Sequence, residues 1–317
     1  MIPIEDIRAA AERIASAAVV TPVIRSDALD RRLGARVFAK DESQQRAGAF
    51  KFRGAYHRLL LIPDDARALG VVAVSSGNHG AAVACAAQLL GLHATVHVPE
   101  DVAPAKRRLI EHFGADIVTF DRTTLDREAG ARAQVAATGA TLVHPFEDPM
   151  VMAGQGTAAL ELHEQVGSLD VLLVPISGGG LMAGCASAMR QLDPGCALIA
   201  VEPATADDTR RSFAAGELVT IGPPDTIADG LAVMTPGAAT FAINRELVRE
   251  VVTVTDAQLV EAMRTAHDLL GRRLEPSGAA GLAAVLDDPD HYRGRRVGII
   301  LTGGNIDPER FDALTAG

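Results

Sequence analysis

Lysine is nearly missing from this chain: of 30 basic residues, only Lys40, Lys51 and Lys106 are lysines and the rest are arginines. An excess of positive charge is missing too, since the net charge is −10 and the pI about 5.4. Without a cationic field, nucleic acid and anionic membrane surfaces are excluded as expected partners. No apolar run approaches the ~18 residues that span a bilayer. The opening MIPIEDIRAAAERIASAA lacks an apolar core behind a basic start, so it reads as an amphipathic helix and not as a secretory signal. Cysteine is sparse, with Cys85, Cys185 and Cys196 in apolar settings and no CxxC spacing. Three such residues do not make a disulfide framework, and buried thiols of a cytoplasmic protein are expected.

What is present is ordinary globular material. Hydrophobic residues make up 48% and charged residues 22% of 317, a length that exceeds what one core usually organises, so two lobes are expected. Short strand-like runs, VFA, GVVAVS, ATVHV, DIVTF, DVLLVPI, ALIAV and RVGIIL, alternate with helix-like segments such as AAVACAAQLLGL and APAKRRLIEHFG. That alternation predicts parallel sheets with crossover helices on both faces. One series runs from about Arg67 to His144 and a second from about Met150 to the end, with the HPFEDP cluster between them.

Three strands run into glycine-bearing turns, VAVSSGNHGAAVA, LLVPISGGGLMAG and GIILTGGNID. Ligands of open α/β sheets sit at the carboxyl ends of strands, so a shared crevice is expected there. In SGGGLMAG, successive glycines let backbone amides face an anion at a helix N-terminus; close strand–helix packing is the other use of such a run. It is neither a P-loop nor a GxGxxG dinucleotide turn. SSGNHG carries two hydroxyls, an amide and an imidazole, more polar groups than one helix cap uses, which favours a binding loop. Lys51 lies beside Phe50 at the start of the apolar FRGAYHRLLLI run. Desolvation there would favour the neutral, nucleophilic amine, whereas a lysine on an amphipathic helix would ordinarily extend to solvent.

The ordered series FKFRGA, SSGNHG, GQGT, SGGGL, EPATADD, ADG, EPSGAAG and TGGN resembles the fold type II pyridoxal-phosphate enzymes, within them the serine/threonine dehydratase and serine racemase branch. The resemblance runs from Thr21 to Asp307. It implies a two-domain α/β fold of the tryptophan synthase β type, each domain a mostly parallel sheet flanked by helices. Residues 1–60 and 147–317 would form a large cofactor-binding domain, and 61–146 a small mobile one. It implies Lys51 as the Schiff-base lysine and Phe50 along the ring of pyridoxal phosphate. Ser177, Gly178, Gly179, Gly180 and Leu181 would hold the phosphate, Asn78 the ring hydroxyl and Thr302 the pyridine nitrogen. Gly230 and Glu275 complete the implied cofactor set.

Ser75, Asn78 and His79 would hold the substrate carboxylate, and Ser76, a further substrate-binding residue, is the implied second base of a racemase. Glu202, the Ala206 carbonyl and Asp208 match the positions that hold a divalent cation, Mg²⁺ or Ca²⁺, in racemase-like members; an acidic helix start is the plain alternative. The implied activity is elimination from a small β-hydroxy amino acid of the L-threonine or L-serine type, giving a 2-oxo acid and ammonia. Racemisation of serine and dehydration of threo-3-hydroxyaspartate are the alternatives, with a non-catalytic cofactor-binding protein behind them. A homodimer is expected.

The chain departs from the pattern just before the lysine, where the family usually reads TGSFK and this chain has Ala47, Gly48, Ala49, Phe50 and Lys51. Two hydroxyls are lost, and the neighbouring Arg46 suggests contact with a second substrate carboxylate, against the ordinary fate of a solvated arginine. Substrate choice is therefore expected at Arg46, Ala47 and Ala49.

Overall fold

The segment VLLVP is apolar at every position, as a strand covered on both faces must be. In the computed structural model, which describes residues 1–75, 77–102, 104–121 and 128–316, all five of its residues are buried. The strands, in chain order, are β1 (Val23–Ile24), β2 (Arg36–Asp41), β3 (Val71–Val74), β4 (Ala94–Pro99), β5 (Asp116–Phe120), β6 (Thr141–Leu142), β7 (Val171–Pro175), β8 (Ala197–Pro203), β9 (Glu250–Val254) and β10 (Arg296–Leu301). They form a six-stranded sheet in the order β1-β2-β10-β7-β8-β9 and a four-stranded sheet in the order β5-β4-β3-β6. Every pairing is parallel except the short β1–β2 pair at one edge. The seven strand-like runs of the sequence are all strands here. The additional ones are two-residue pieces and β9, an edge strand whose half-exposed pattern carries little signal.

The N-terminal strands join the larger sheet through β2, which pairs with β10 from Arg36↔Arg296 to Asp41↔Leu301. The chain then crosses to the smaller sheet through the Lys51–Leu60 helix. Phe52, Tyr56 and Leu59 of this helix pack with Val71, Ala73 and Val96 of the smaller sheet. Its other side meets the 18-residue helix Pro149–Val166.

The GQGT run of that long helix accounts for the contact. A Cβ on Gly154 would lie 2.7 Å from the Gly54 Cα and 2.8 Å from the Arg53 carbonyl oxygen. One on Gly156 would lie 2.8 Å from the Gly184 carbonyl oxygen, in the Gly180–Leu192 helix. Two residues apart on a helix face nearly opposite ways, so the two glycines admit two neighbouring backbones on opposite sides. Gln155 between them accepts the Gly54 amide at 3.2 Å, and the Thr157 hydroxyl accepts from Arg53 at 3.2 Å.

Arg53 is itself wholly buried and bidentate to two carboxylates. Its nitrogens donate to Glu42 at 2.7 and 2.8 Å and to Glu161 at 2.7 and 2.8 Å. The equally buried Lys40 donates to Glu161 at 2.6 Å, to the Thr21 carbonyl at 2.7 Å and to Gln165 at 3.0 Å. Two cations and two anions thus neutralise one another in the interior, where removing one member would strand its partners. The cluster ties β2 and the Pro149–Val166 helix to the second residue after Lys51. Gly154→Ala is expected to destabilise the protein by about 1–3 kcal/mol, the usual cost of overpacking, read as a lower urea midpoint with unchanged slope.

Candidate active site

The three glycine-bearing turns stand at the ends of β3, β7 and β10, in two different sheets, and they meet across one cavity of about 550 Å³. Its lining takes Ser75, Gly77, Asn78 and His79 from the first turn and Ser177, Gly178, Gly179, Gly180 and Leu181 from the second. The third contributes Thr302, and Phe50, Lys51, Gly230 and Glu275 complete the wall. The cofactor and substrate positions expected from the sequence are therefore brought together, save Ser76, which lies outside the described residues. Glu202, Ala206 and Asp208 do not line the cavity.

Lys51 opens the Lys51–Leu60 helix, which aims its amine into the cavity. The ammonium donates to the Pro145 carbonyl at 2.9 Å and lies 5.2 Å from the centre of the Phe50 ring. Among the described residues no carboxylate pairs with it. Burial lowers its pKa to about 8, so the neutral amine is available at mild pH. Lys40, by contrast, is held by Glu161, and that cluster belongs to the fold.

The SGGG turn presents its amides inward because its carbonyls are engaged behind it. Thr240 donates to the Gly178 carbonyl at 2.5 Å, and Asn244 to the Gly179 carbonyl at 3.1 Å. Gly179 has φ 94°, a left-handed conformation suited to glycine. A Cβ on Gly180 would sit 2.8 Å from that of Phe146, and one on Gly178 would enter the Phe146 ring. The turn opens the Gly180–Leu192 helix, whose first-turn amides and dipole add to an anion site. Thr240, Asn244, Pro145 and Phe146 all escaped the sequence reading. They act through carbonyls and ring faces at long sequence separation, which no local motif signals.

Asn78 begins the Asn78–Leu90 helix and is fixed from two sides. Its amide nitrogen donates to Glu275 at 2.5 Å, while its oxygen accepts from Asn305 at 2.8 Å. One N–H of Asn78 stays available to a ligand hydroxyl. Burial first, and the Asp229 charge second, push the Glu275 carboxyl up to about 7. His79 donates its Nε2–H to the Val143 carbonyl at 2.8 Å, leaving Nδ1 buried without a partner. Burial and the Lys51 charge hold this imidazole down at about 3. It is neutral, and its free nitrogen is an acceptor, so the ring is not suited to binding a carboxylate. The first-turn amides of Asn78 and His79, with the Ser75 hydroxyl, fit that role better.

The expectation for the positions before the lysine needs correction. None of Arg46, Ala47 and Ala49 lines the cavity. Arg46 is exposed, with its Nε–H on the Ala17 carbonyl. Ala47 has φ 55°, and its carbonyl accepts from Asn305 at 2.7 Å. Ala49 is 1% exposed and bridges Gly303. This loop is held by the TGGN backbone and Asn305, and it shapes the site from behind.

At the end of β8, Glu202 accepts the amides of Thr209 and Arg210 at 3.3 and 2.8 Å. Asp208 begins the Asp208–Ala215 helix, and its Oδ2 is buried without a partner. Burial first of all raises both carboxyls, Glu202 to about 8 and Asp208 to about 7. Among the described residues no cluster of three or more His, Cys, Asp or Glu side chains is placed to hold a metal. A cation here would need the Ala206 carbonyl and water alongside the two carboxylates, a set of hard oxygen donors.

A family model described as pyridoxal-phosphate dependent enzyme matches residues 14–303. An L-threo-3-hydroxyaspartate ammonia-lyase from Pseudomonas sp is 46% identical over 312 residues, covering 98% of both chains. The structure of maize serine racemase superposes with a TM-score of 0.94 at 40% identity, covering 97% of this chain and 95% of that one. A T.th. threonine deaminase structure gives a TM-score of 0.91 at 42% identity, covering 96% of this chain and 99% of the other.

A lysine whose pKa is about 8 captures an aldehyde as its neutral form. The rate of aldehyde capture by cofactor-free protein should therefore rise nearly tenfold per pH unit below about 8 and level off above it. An unperturbed lysine would keep rising to ~10.4; stopped-flow absorbance with pyridoxal phosphate distinguishes the two.

Proposed function

This chain belongs to the pyridoxal-phosphate dependent enzymes, and we propose that within them it is an ammonia-lyase acting on a small β-hydroxy amino acid, with L-threo-3-hydroxyaspartate its leading substrate. The observation that carries the reading is the Lys51 amine, desolvated and held by a neutral carbonyl, facing the glycine cradle across one cavity. The preference for hydroxyaspartate over the threonine and serine first expected rests on the relative of that name and on the cations Lys106 and Arg310 in the cavity wall. The residues present fit pyridoxal phosphate: a glycine turn at a helix N-terminus, where a Cβ on Gly178, Gly179 or Gly180 would collide with Phe146, Thr240 or Asn244, a ring face on Phe50, an N–H on Asn78 and a hydroxyl on Thr302.

Bound there, the cofactor supplies an electron sink for a carbanion at the substrate Cα. Lys51 Nζ, whose neutral form predominates above about pH 8, is the base that takes the Cα proton. The amides of Asn78 and His79 and the Ser75 hydroxyl orient the α-carboxylate so that this proton faces Lys51. Thr302 would offer the pyridine nitrogen a neutral hydroxyl partner, which suits prompt departure of a β-hydroxyl. Loss of the Cα proton and β-hydroxide, followed by return of water and release of ammonia, converts the substrate to a 2-oxo acid with no net change in water. Residues 61–146 act as a small mobile domain over the remainder of the chain, and two chains form a homodimer.

A second reading, racemisation through Lys51 and Ser76, is favoured by the likeness to maize serine racemase. Incubation of holoenzyme with L-threo-3-hydroxyaspartate, L-threonine and L-serine should release 2-oxo acid, most rapidly from the first, and Lys51→Ala should abolish release by at least ~10³-fold. Silence on all three, with D-isomers appearing on chiral chromatography, would replace elimination by racemisation.

Glu202, the Ala206 carbonyl and Asp208 would hold Mg²⁺ or Ca²⁺, and the buried, unpartnered Asp208 Oδ2 supports this. Either ion should then raise Tm of chelator-treated protein by ~2–4 °C per kcal/mol gained, and Asp208→Asn should erase the increment. Equal shifts in wild type and variant would place the ion elsewhere.

A further inference from the structure

Lys106 is the one lysine that neither the interior cluster nor the chemistry at Lys51 accounts for. It projects from the Pro104–His112 helix, after β4 of the smaller sheet, and pairs with Asp229 of the larger domain's Asp229–Leu231 turn. The pair spans the cleft between the two sheets. It lines the 550 Å³ cavity together with Glu275 and Arg310, and the same four residues also line part of a second cavity of about 200 Å³. Lys106 and Asp229 therefore sit where the site opens outward.

The cations in the cavity wall decide what kind of side chain is welcome. Lys51 is reserved for chemistry, His79 is neutral, and Arg46 lies outside. Among the described residues Lys106 and Arg310 remain, with the acidic side chains Asp101, Asp229 and Glu275 on the same wall. Arg310 makes no ion pair among the described residues. The side chains of Lys106 and Asp229 are 24% and 44% exposed, so their pair is worth little in water and is exchangeable, unlike the buried pairs of Arg53.

Resting on the function proposed above, we infer that Lys106 is the specificity-determining residue for a substrate's second carboxylate. Asp229 occupies Lys106 until a dicarboxylic substrate takes its place, and Arg310 is the supporting cation. A monocarboxylic substrate leaves the Lys106–Asp229 pair intact and gains nothing from it.

Two measurements test this on the holoenzyme. In steady-state kinetics, Lys106→Met should lower the ratio of kcat/KM on L-threo-3-hydroxyaspartate to that on L-serine about 10- to 100-fold, the worth of one charge-assisted hydrogen bond. The loss should lie in KM, Lys106→Arg should restore most of it, and Asp229→Asn should raise the ratio. By calorimetry, succinate should bind wild type more tightly than propionate does, and Lys106→Met should remove that advantage. An equal fall on both substrates, or an unchanged ratio, would overturn the assignment. If wild type turns over neither substrate, the proposed function fails, and succinate binding alone still decides the role of Lys106.

Discussion

The close approach of three helices is the constraint on which this site depends. Gly154 and Gly156 let the Pro149–Val166 helix touch the Lys51–Leu60 helix on one side and the Gly180–Leu192 helix on the other, backbone against backbone. One of these neighbours begins at the reactive amine and the other at the anion cradle. Their separation is set by contacts that do not stretch, because close-packed backbones have no flexible side chain to yield. The buried cluster of Arg53, Glu42, Glu161 and Lys40 then fixes the rotation of the first helix about its axis. Neither device touches a ligand, yet together they determine where Lys51 points.

Much of this was legible in the sequence, for a physical reason. The groups that face the cavity are drawn from turns at strand ends, where a few residues in a row must combine special backbone geometry with exposed polar atoms. Such constraints leave compact motifs, which is how Lys51, Asn78, Thr302 and the SGGGL turn stand out. The supporting groups leave none. Thr240 and Asn244 engage turn carbonyls 62 and 65 residues away, and Phe146 fills the space that the absent side chains of Gly178 and Gly180 create. The error at Arg46, Ala47 and Ala49 has the same origin. Proximity to Lys51 in sequence does not amount to proximity to its ligand, because Ala49 packs on Gly303 and Asn305 ties the loop from behind.

Two buried lysines show how environment, and not burial alone, separates structure from chemistry. Lys40 and Lys51 are both withdrawn from water, and burial lowers the pKa of each. Lys40 is compensated by Glu161 and two further close acceptors, so its charge is retained in a neutral cluster. Lys51 has one neutral carbonyl and an aromatic face. The difference leaves one amine locked and the other ready to lose its proton.

The HPFEDP connection follows β6, the last strand of the smaller sheet, and leads into the Pro149–Val166 helix of the larger one. Its Pro145 carbonyl holds the Lys51 amine, while the next residue, Phe146, lies against Gly178 and Gly180. A single dipeptide thus works as a ruler whose two marks are the amine and the anion cradle. Any reorientation of one sheet against the other must pass through this ruler, so opening of the cleft and the grip on the lysine change together.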